Sequence, residues 1–227
     1  MSRQTQSNAG FGLVDLLMMM AAISVLVAIV APVTSSFRAK RNLAQCIANL
    51  QQVNRACLMY AEENQKTLPL LKKTGVKDTW WFYKESVKTY AGLKGKSFPG
   101  DKLFACPNDR GYEEGAKPFS QSAKFDFNSY PFNGVNMPGM PNVAGREITT
   151  IRNPGKTLLV MEWTAHAPLS WHKSKTGKQN APFYNNAESV LGFVDNHVSL
   201  SRIYYDGINA AYTRDPVAGY DYKYSAE

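Results

Sequence analysis

GFGLVDLLMMMAAISVLVAIVAPV, residues 10–33, decides how the rest of the chain is read. From Leu16 to Val33 the only polar side chain is Ser24, an apolar run of 18 residues. That reaches the lower end of what crosses a bilayer, where about 20 residues are typical. A helix that is apolar all round needs either lipid or complete burial, and a chain of this size seldom buries its own terminus completely. A secretory signal peptide would need a cationic start and a small-residue cleavage site. Here the start offers only Arg3, and Ala31 is followed by Pro32. The stretch therefore predicts a membrane-embedded helix, and its carboxylate, Asp15, needs an explanation.

The helical pattern does not stop at Val33. Leu43, Cys46, Ile47, Leu50, Val53, Cys57 and Tyr60 recur at spacings of three and four, with polar residues on the other face. Proline inside such a pattern kinks a helix and does not always end it. One helix is predicted from Phe11 to about Asn64, membrane-embedded over 11–33 and one-sided beyond. Leu68-Pro69 marks its end.

Gly10-Phe11, an acidic residue in the fifth place counted from Phe11 and Pro32 in the twenty-second resemble a type IV prepilin or type II secretion pseudopilin. CIANLQQVNRACLMYAEENQKTLP (46–69) resembles the helix of G-type pseudopilin-like proteins. FACPND (104–109), SYPFNG (129–134), IRNPGKTLLVMEW (151–163) and FVDNHVSL (193–200) resemble later parts of the same proteins. The resemblance implies a leader at 1–10, cut after Gly10 by prepilin peptidase, with methylation of Phe11. It implies assembly through the helix, with Asp15 and Pro32, into a secretion pseudopilus or related pilus-like filament. Partners would be other pseudopilins or further copies, the inner-membrane assembly platform and lipid; nucleic acid is not expected. The chain would cross the inner membrane once, amino terminus in the cytoplasm and head in the periplasm. Two positions depart from the family: Asp15 stands where Glu is usual, and Gly12 follows the new amino-terminal aromatic. Glycine weakens a first helical turn by about 1 kcal/mol relative to alanine.

A carboxylate at the centre of a membrane helix costs about 2.5–3.5 kcal/mol, and less near the interface. Asp15 lies close to the helix start, where the peptide dipole favours negative charge. It is expected to pair with the amino terminus of Phe11 in the subunit ahead of it, setting the axial register of a filament. The alternative is a charge tolerated near the interface with no partner. Arg38, Lys40 and Arg41 follow the apolar run, which by the positive-inside rule would keep the C-terminal part in the cytoplasm. That conflicts with the resemblance, which is followed because it rests on several separate segments.

Residues 65–227 are long enough for one compact core. Trp80, Tyr83, Val87 and Tyr90 predict a helix over 79–93 with Gly92 as its stop, and 94–154, rich in Gly, Pro, Asn and Ser, predicts long loops. TLLVMEW (157–163) reads as a buried strand, and 188–205 as a β-hairpin turning at Asp195-Asn196. A long helix, a short helix and antiparallel strands make an α+β fold. The Tyr-rich tail, 204–224, is expected to cover the sheet edge.

Eight lysines between Lys72 and Lys102 face three acids there, within a formal charge of +8 for the chain. No arginine, the preferred phosphate fork, occurs among them, and the stretch reads as a solvated face. A basic, Tyr-rich head acting as an anchored adhesin for DNA, glycan or lipid is the alternative function. Glu162 with His166, or Asp195 with His197, are the candidate metal pairs, but no HExxH, GxSxG or phosphate-binding glycine loop occurs, and no enzyme is expected. No cofactor is expected either. Calcium on Asp206, Asp215 or Asp221 is a minor alternative with no recognisable loop spacing. Cys46 and Cys57, 11 residues apart on one helix, stand roughly 16 Å apart and cannot bridge each other. The resemblance favours a Cys46–Cys106 disulfide; three buried thiols are the other reading.

Overall fold

The structure, a computed structural model, describes residues 12–71, 78–111, 117–134, 139–165, 170–172, 187–204, 215–216 and 218–227. Helix α1 runs from Leu13 to Glu63 and continues through Pro32. Two compact units divide the chain, Met1–Arg41 and Asn42–Glu227.

In the first unit every residue from Gly12 to Arg41 is exposed. The helix is long and apolar enough to cross a membrane, and at 1.5 Å per residue Leu13–Val33 covers about 31 Å, the thickness of a hydrocarbon core. Three of its hydroxyls are satisfied within the helix. Ser24 Oγ donates to the Met20 carbonyl at 2.8 Å, Thr34 Oγ1 to Ala31 at 2.9 Å and Ser35 Oγ to Pro32 at 2.8 Å. That is what lipid demands of a polar group.

The second unit is an α+β head, and it begins at Asn42, well before residue 65. The reason is the apolar stripe: Cys46, Leu50, Val53, Ala56, Cys57 and Ala61 of α1 are buried in the head's own core. Helix α2 (Asp78–Val87) adds Trp81, Tyr83 and Val87. It tightens into a 3₁₀ turn, Lys88–Ala91, closed by Gly92 at φ 76°. Only short 3₁₀ turns interrupt the described loops between 94 and 154.

Strands β1 (Leu158–Met161), β2 (Glu188–Phe193) and β3 (Val198–Arg202) form an antiparallel sheet in that order. The hairpin closes with Asn196 at φ 73°, and the Phe193 amide donates to the His197 carbonyl at 3.0 Å. Leu159, Val160 and Val190 join the core against α1, while Leu158, Met161, Leu191 and Phe193 join a second cluster with Tyr222 and Tyr224. Both faces are covered, so β1 reads as a continuous apolar run. An irregularity in β1–β2 pairing between Leu158 and Val160 places two consecutive residues in the same cluster. The tail runs parallel to β1, bridging Thr157 to Lys223, and lays Tyr222 and Tyr224 over the sheet.

Helix α1 meets the sheet at Gly192. A Cβ there would lie 2.5 Å from Asn54 Nδ2, and that amide donates to the Phe193 carbonyl at 3.1 Å. Only a glycine lets the helix approach this closely.

Candidate functional site

The chemistry of the head converges on one buried cluster at the Cys46–Cys106 disulfide, whose Cα atoms stand 5.0 Å apart. Cys46 comes from α1. Cys106 sits at a turn closed by the Asp109 amide donating to its carbonyl at 3.0 Å. Asp109 is the hub of that turn: Oδ1 accepts from the Gly111 and Phe119 amides, and Oδ2 from the Ser120 amide and Ser129 Oγ. Ser129 Oγ in turn accepts from the Cys106 amide at 3.0 Å. Side-chain acceptors thus replace the ladder this loop lacks.

Glu162 follows β1 and is wholly buried. Its Oε2 accepts from the Val190 amide at 2.9 Å, and its Oε1 lies 2.8 Å from His172 Nε2. That ring nitrogen is also 3.9 Å from Cys106 Sγ. Asn108 Nδ2 is 3.1 Å from His172 Nδ1, and Asn108 Oδ1 accepts from Asn42 Nδ2 at 2.9 Å. With Asn108 oriented by Asn42, its amide is directed at Nδ1, and Nε2 is directed at Glu162. Sulfur, imidazole and carboxylate atoms of Cys46, Cys106, Glu162 and His172 all lie within 4.8 Å of one another, and all four residues are buried.

Sequence proximity suggested His166 as the partner of Glu162. His166 lies outside the described residues, and the fold brings up His172 instead, ten positions on. The scarcity of the chemistry was the available signal: with only three histidines in the chain, one that the fold buries needs a polar partner. Asp195 and His197 do meet, Oδ1 to Nδ1 at 2.6 Å, but exposed in the hairpin turn, with the ring stacked on Phe193. Asp215 spends both oxygens on the Tyr224 and Ser225 amides, and Asp221 is exposed, 3.7 Å from Lys156 Nζ. Asp206 lies outside the described residues.

Gly10 and Phe11 also lie outside the described residues. Asp15 does not hang free: its Oδ2 accepts from the Gly12 amide at 2.9 Å, capping the first turn of α1. The lysine-rich stretch is not one solvated face. Lys84 and Lys88 are buried, while Lys94, Lys96 and Lys102 are exposed. Lys84 Nζ pairs with Asp101 at 3.0 Å and donates to the Asp126 and Phe127 carbonyls. Burial pulls its ammonium below the usual lysine range, opposed by Asp101. Cys57 is the free thiol, and burial pushes it up, away from reactivity.

Comparison with protein-family models, with curated proteins and with solved structures finds no match for this chain. The chain has the make-up of a single-pass membrane-anchored protein with a globular α+β head.

Proposed function

We propose that this chain is a pilin-like structural subunit, cut by prepilin peptidase between Gly10 and Phe11 and assembled through α1 into a type II secretion pseudopilus or a related pilus-like filament. The observation that carries the reading is the placement of Asp15. It is the only charged residue from Gly12 to Phe37, in a segment with no protein cover of its own. A carboxylate can accept more than one hydrogen bond, so the Gly12 amide leaves it capacity for a second donor. A neighbouring subunit's methylated amino group, entering low-dielectric surroundings, supplies the matching charge.

The filament reading gives the bare helix a use that a simple anchor does not. Helices packed along a filament axis would cover the Leu13–Val33 surface, and Asp15 would fix their register. The head would face the periplasm and decorate the filament. The lysines and tyrosines favour this over a binding module, because Lys84, Lys88, Tyr222 and Tyr224 are spent inside the head.

Intact-mass measurement of the protein from its native membrane tests the reading. A chain beginning at Phe11 and carrying one extra methyl group supports it. A chain beginning at Met1 or Ser2 overturns it.

A further inference from the structure

We propose that Cys46, Cys106, Glu162 and His172 form a redox-gated site for one divalent metal ion of the zinc class. Closed, the site is the disulfide. Reduced, it is a ligand set of two thiolates, one imidazole and one carboxylate.

A disulfide needs no polar partner, yet three polar groups converge on this one inside the protein. His172 Nε2 faces Cys106 Sγ at 3.9 Å, and Glu162 Oε1 stands behind it, 2.8 Å from the same nitrogen. The Asn108 amide donates to Cys106 Sγ at 3.4 Å. Burial requires a carboxylate and an imidazole to be paired, and here the pair is set beside sulfur, where an N–H aimed at the sulfur favours the thiolate. Four ligands of Cys, His and carboxylate type are the number and kind that zinc takes. Bonds of about 2.0–2.3 Å in a tetrahedron put neighbouring ligand atoms roughly 3.3–3.8 Å apart. The four atoms already lie within 4.8 Å. The Cys46 and Cys106 Cα atoms, 5.0 Å apart, let the sulfurs separate to that distance by side-chain rotation.

The surroundings suit such a site. Glu162 is held by the Val190 amide through Oε2, leaving Oε1 aimed at the cluster. The His172 amide donates to Ser170 Oγ at 3.1 Å, fixing the residue at its backbone. Asn108 and Asn42 form the outer layer on His172 Nδ1. Cys106 lies in the wall of an open groove of about 600 Å³, lined also by Gln45, Asn49, Lys102 and Asp109, so one of the four residues borders solvent-filled space.

The chemistry balances with a dithiol reductant. Two electrons from the dithiol break the Cys46–Cys106 bond, each sulfur takes a proton, and the reductant closes to its own disulfide. The incoming M²⁺ displaces both thiol protons to solvent. The imidazole proton moves from Nε2 to Nδ1, where the turned-over Asn108 amide accepts it through Oδ1. Oxidation by a disulfide-class oxidant reverses the sequence and expels the ion.

The test titrates the full-length chain in detergent with Co²⁺, before and after reduction. The reduced chain should bind one Co²⁺ with a thiolate-to-cobalt charge-transfer band and the strong visible bands of tetrahedral cobalt; the oxidised chain should show neither. Loss of an outer-layer partner costs 10–100-fold in affinity, so His172→Gln should weaken binding by about 100-fold or more. Cys57→Ala should leave the titration unchanged. Three results overturn the proposal. One is a reduced chain with native near-UV circular dichroism and no charge-transfer band. Another is a reduced chain that loses that signal and does not regain it with Co²⁺. The third is a band of equal strength in the oxidised chain or in His172→Gln.

Discussion

Replacing Asp126 by Asn should stabilise the head at neutral pH and leave it unchanged in acid. Asp126 is 6 % exposed, its Oδ2 is buried without a hydrogen-bond partner, and Lys84 is committed to Asp101. Burial lifts its carboxyl from an ordinary 3.8 to about 6, with the Lys84 charge opposing. The folded pKa is raised, so the folded state holds the proton more tightly. This group's contribution is complete below about pH 4 and is lost as pH rises through 6. At 1.36 kcal/mol per pH unit, the loss comes to about 2–3 kcal/mol. Asn keeps the shape without the charge, and it tolerates the backbone here, φ 52°. The assay is urea unfolding of the full chain in detergent from pH 4 to 8, followed by tryptophan fluorescence. All four tryptophans lie in the head, so the signal reports the head alone. The difference between variant and parent should be near zero at pH 4 and grow to about 2–3 kcal/mol by pH 7.5. A difference that is flat with pH, or largest in acid, would refute the reasoning.

Gly192→Ala should cost about 1–3 kcal/mol in the same unfolding assay, because its Cβ lands on Asn54. Adding Asn54→Ala should recover part of the loss, and a strictly additive double variant would mean the two do not collide. Cys46→Ala with Cys106→Ala opens a crosslink between residues 60 apart, worth about 4 kcal/mol by chain entropy; an unchanged urea midpoint would mean the bond is not formed in the native protein. Asp15→Ala should abolish incorporation into filaments while Asp15→Glu preserves it, measured as the subunit's presence in sheared filaments. Equal incorporation of both would sink the pairing with Phe11.

Periodicity carried most of the fold. A helix expected over 11–64 is described as Leu13–Glu63, because an apolar stripe at three-four spacing has one easy solution. Trp80, Tyr83 and Val87 placed α2, and Gly92 ended its 3₁₀ extension in the left-handed region that the absence of a Cβ permits. The hairpin turned where Asn196 accepts φ 73°. The two compact units part elsewhere than at the helix end, at Asn42. The stripe from Cys46 to Ala61 marks a helix that belongs to the head, and a boundary drawn at the helix end cuts that core in two.

Buried polar groups were the part that no local pattern could show. Lys84 counts as one more surface lysine until Asp101 and the Asp126 carbonyl are folded around it. Glu162 looks for a histidine one helical turn away and meets one ten positions on. Between 94 and 154 the described chain has almost no regular structure, so single side chains join scattered backbone pairs in satisfying its polar groups. Asp109 does this for the Cys106 turn and Asn49 for the Lys102 and Ala105 carbonyls, while Asn133 reaches out of the stretch to the carbonyls of Leu158 and Tyr224. Each such contact closes a loop that composition alone leaves open. A head built this way concentrates its specificity in a few buried polar residues. For that reason the cluster at Cys46 and Cys106 stands out: Glu162 holds the Val190 amide with one oxygen and His172 with the other, and His172 is set against sulfur.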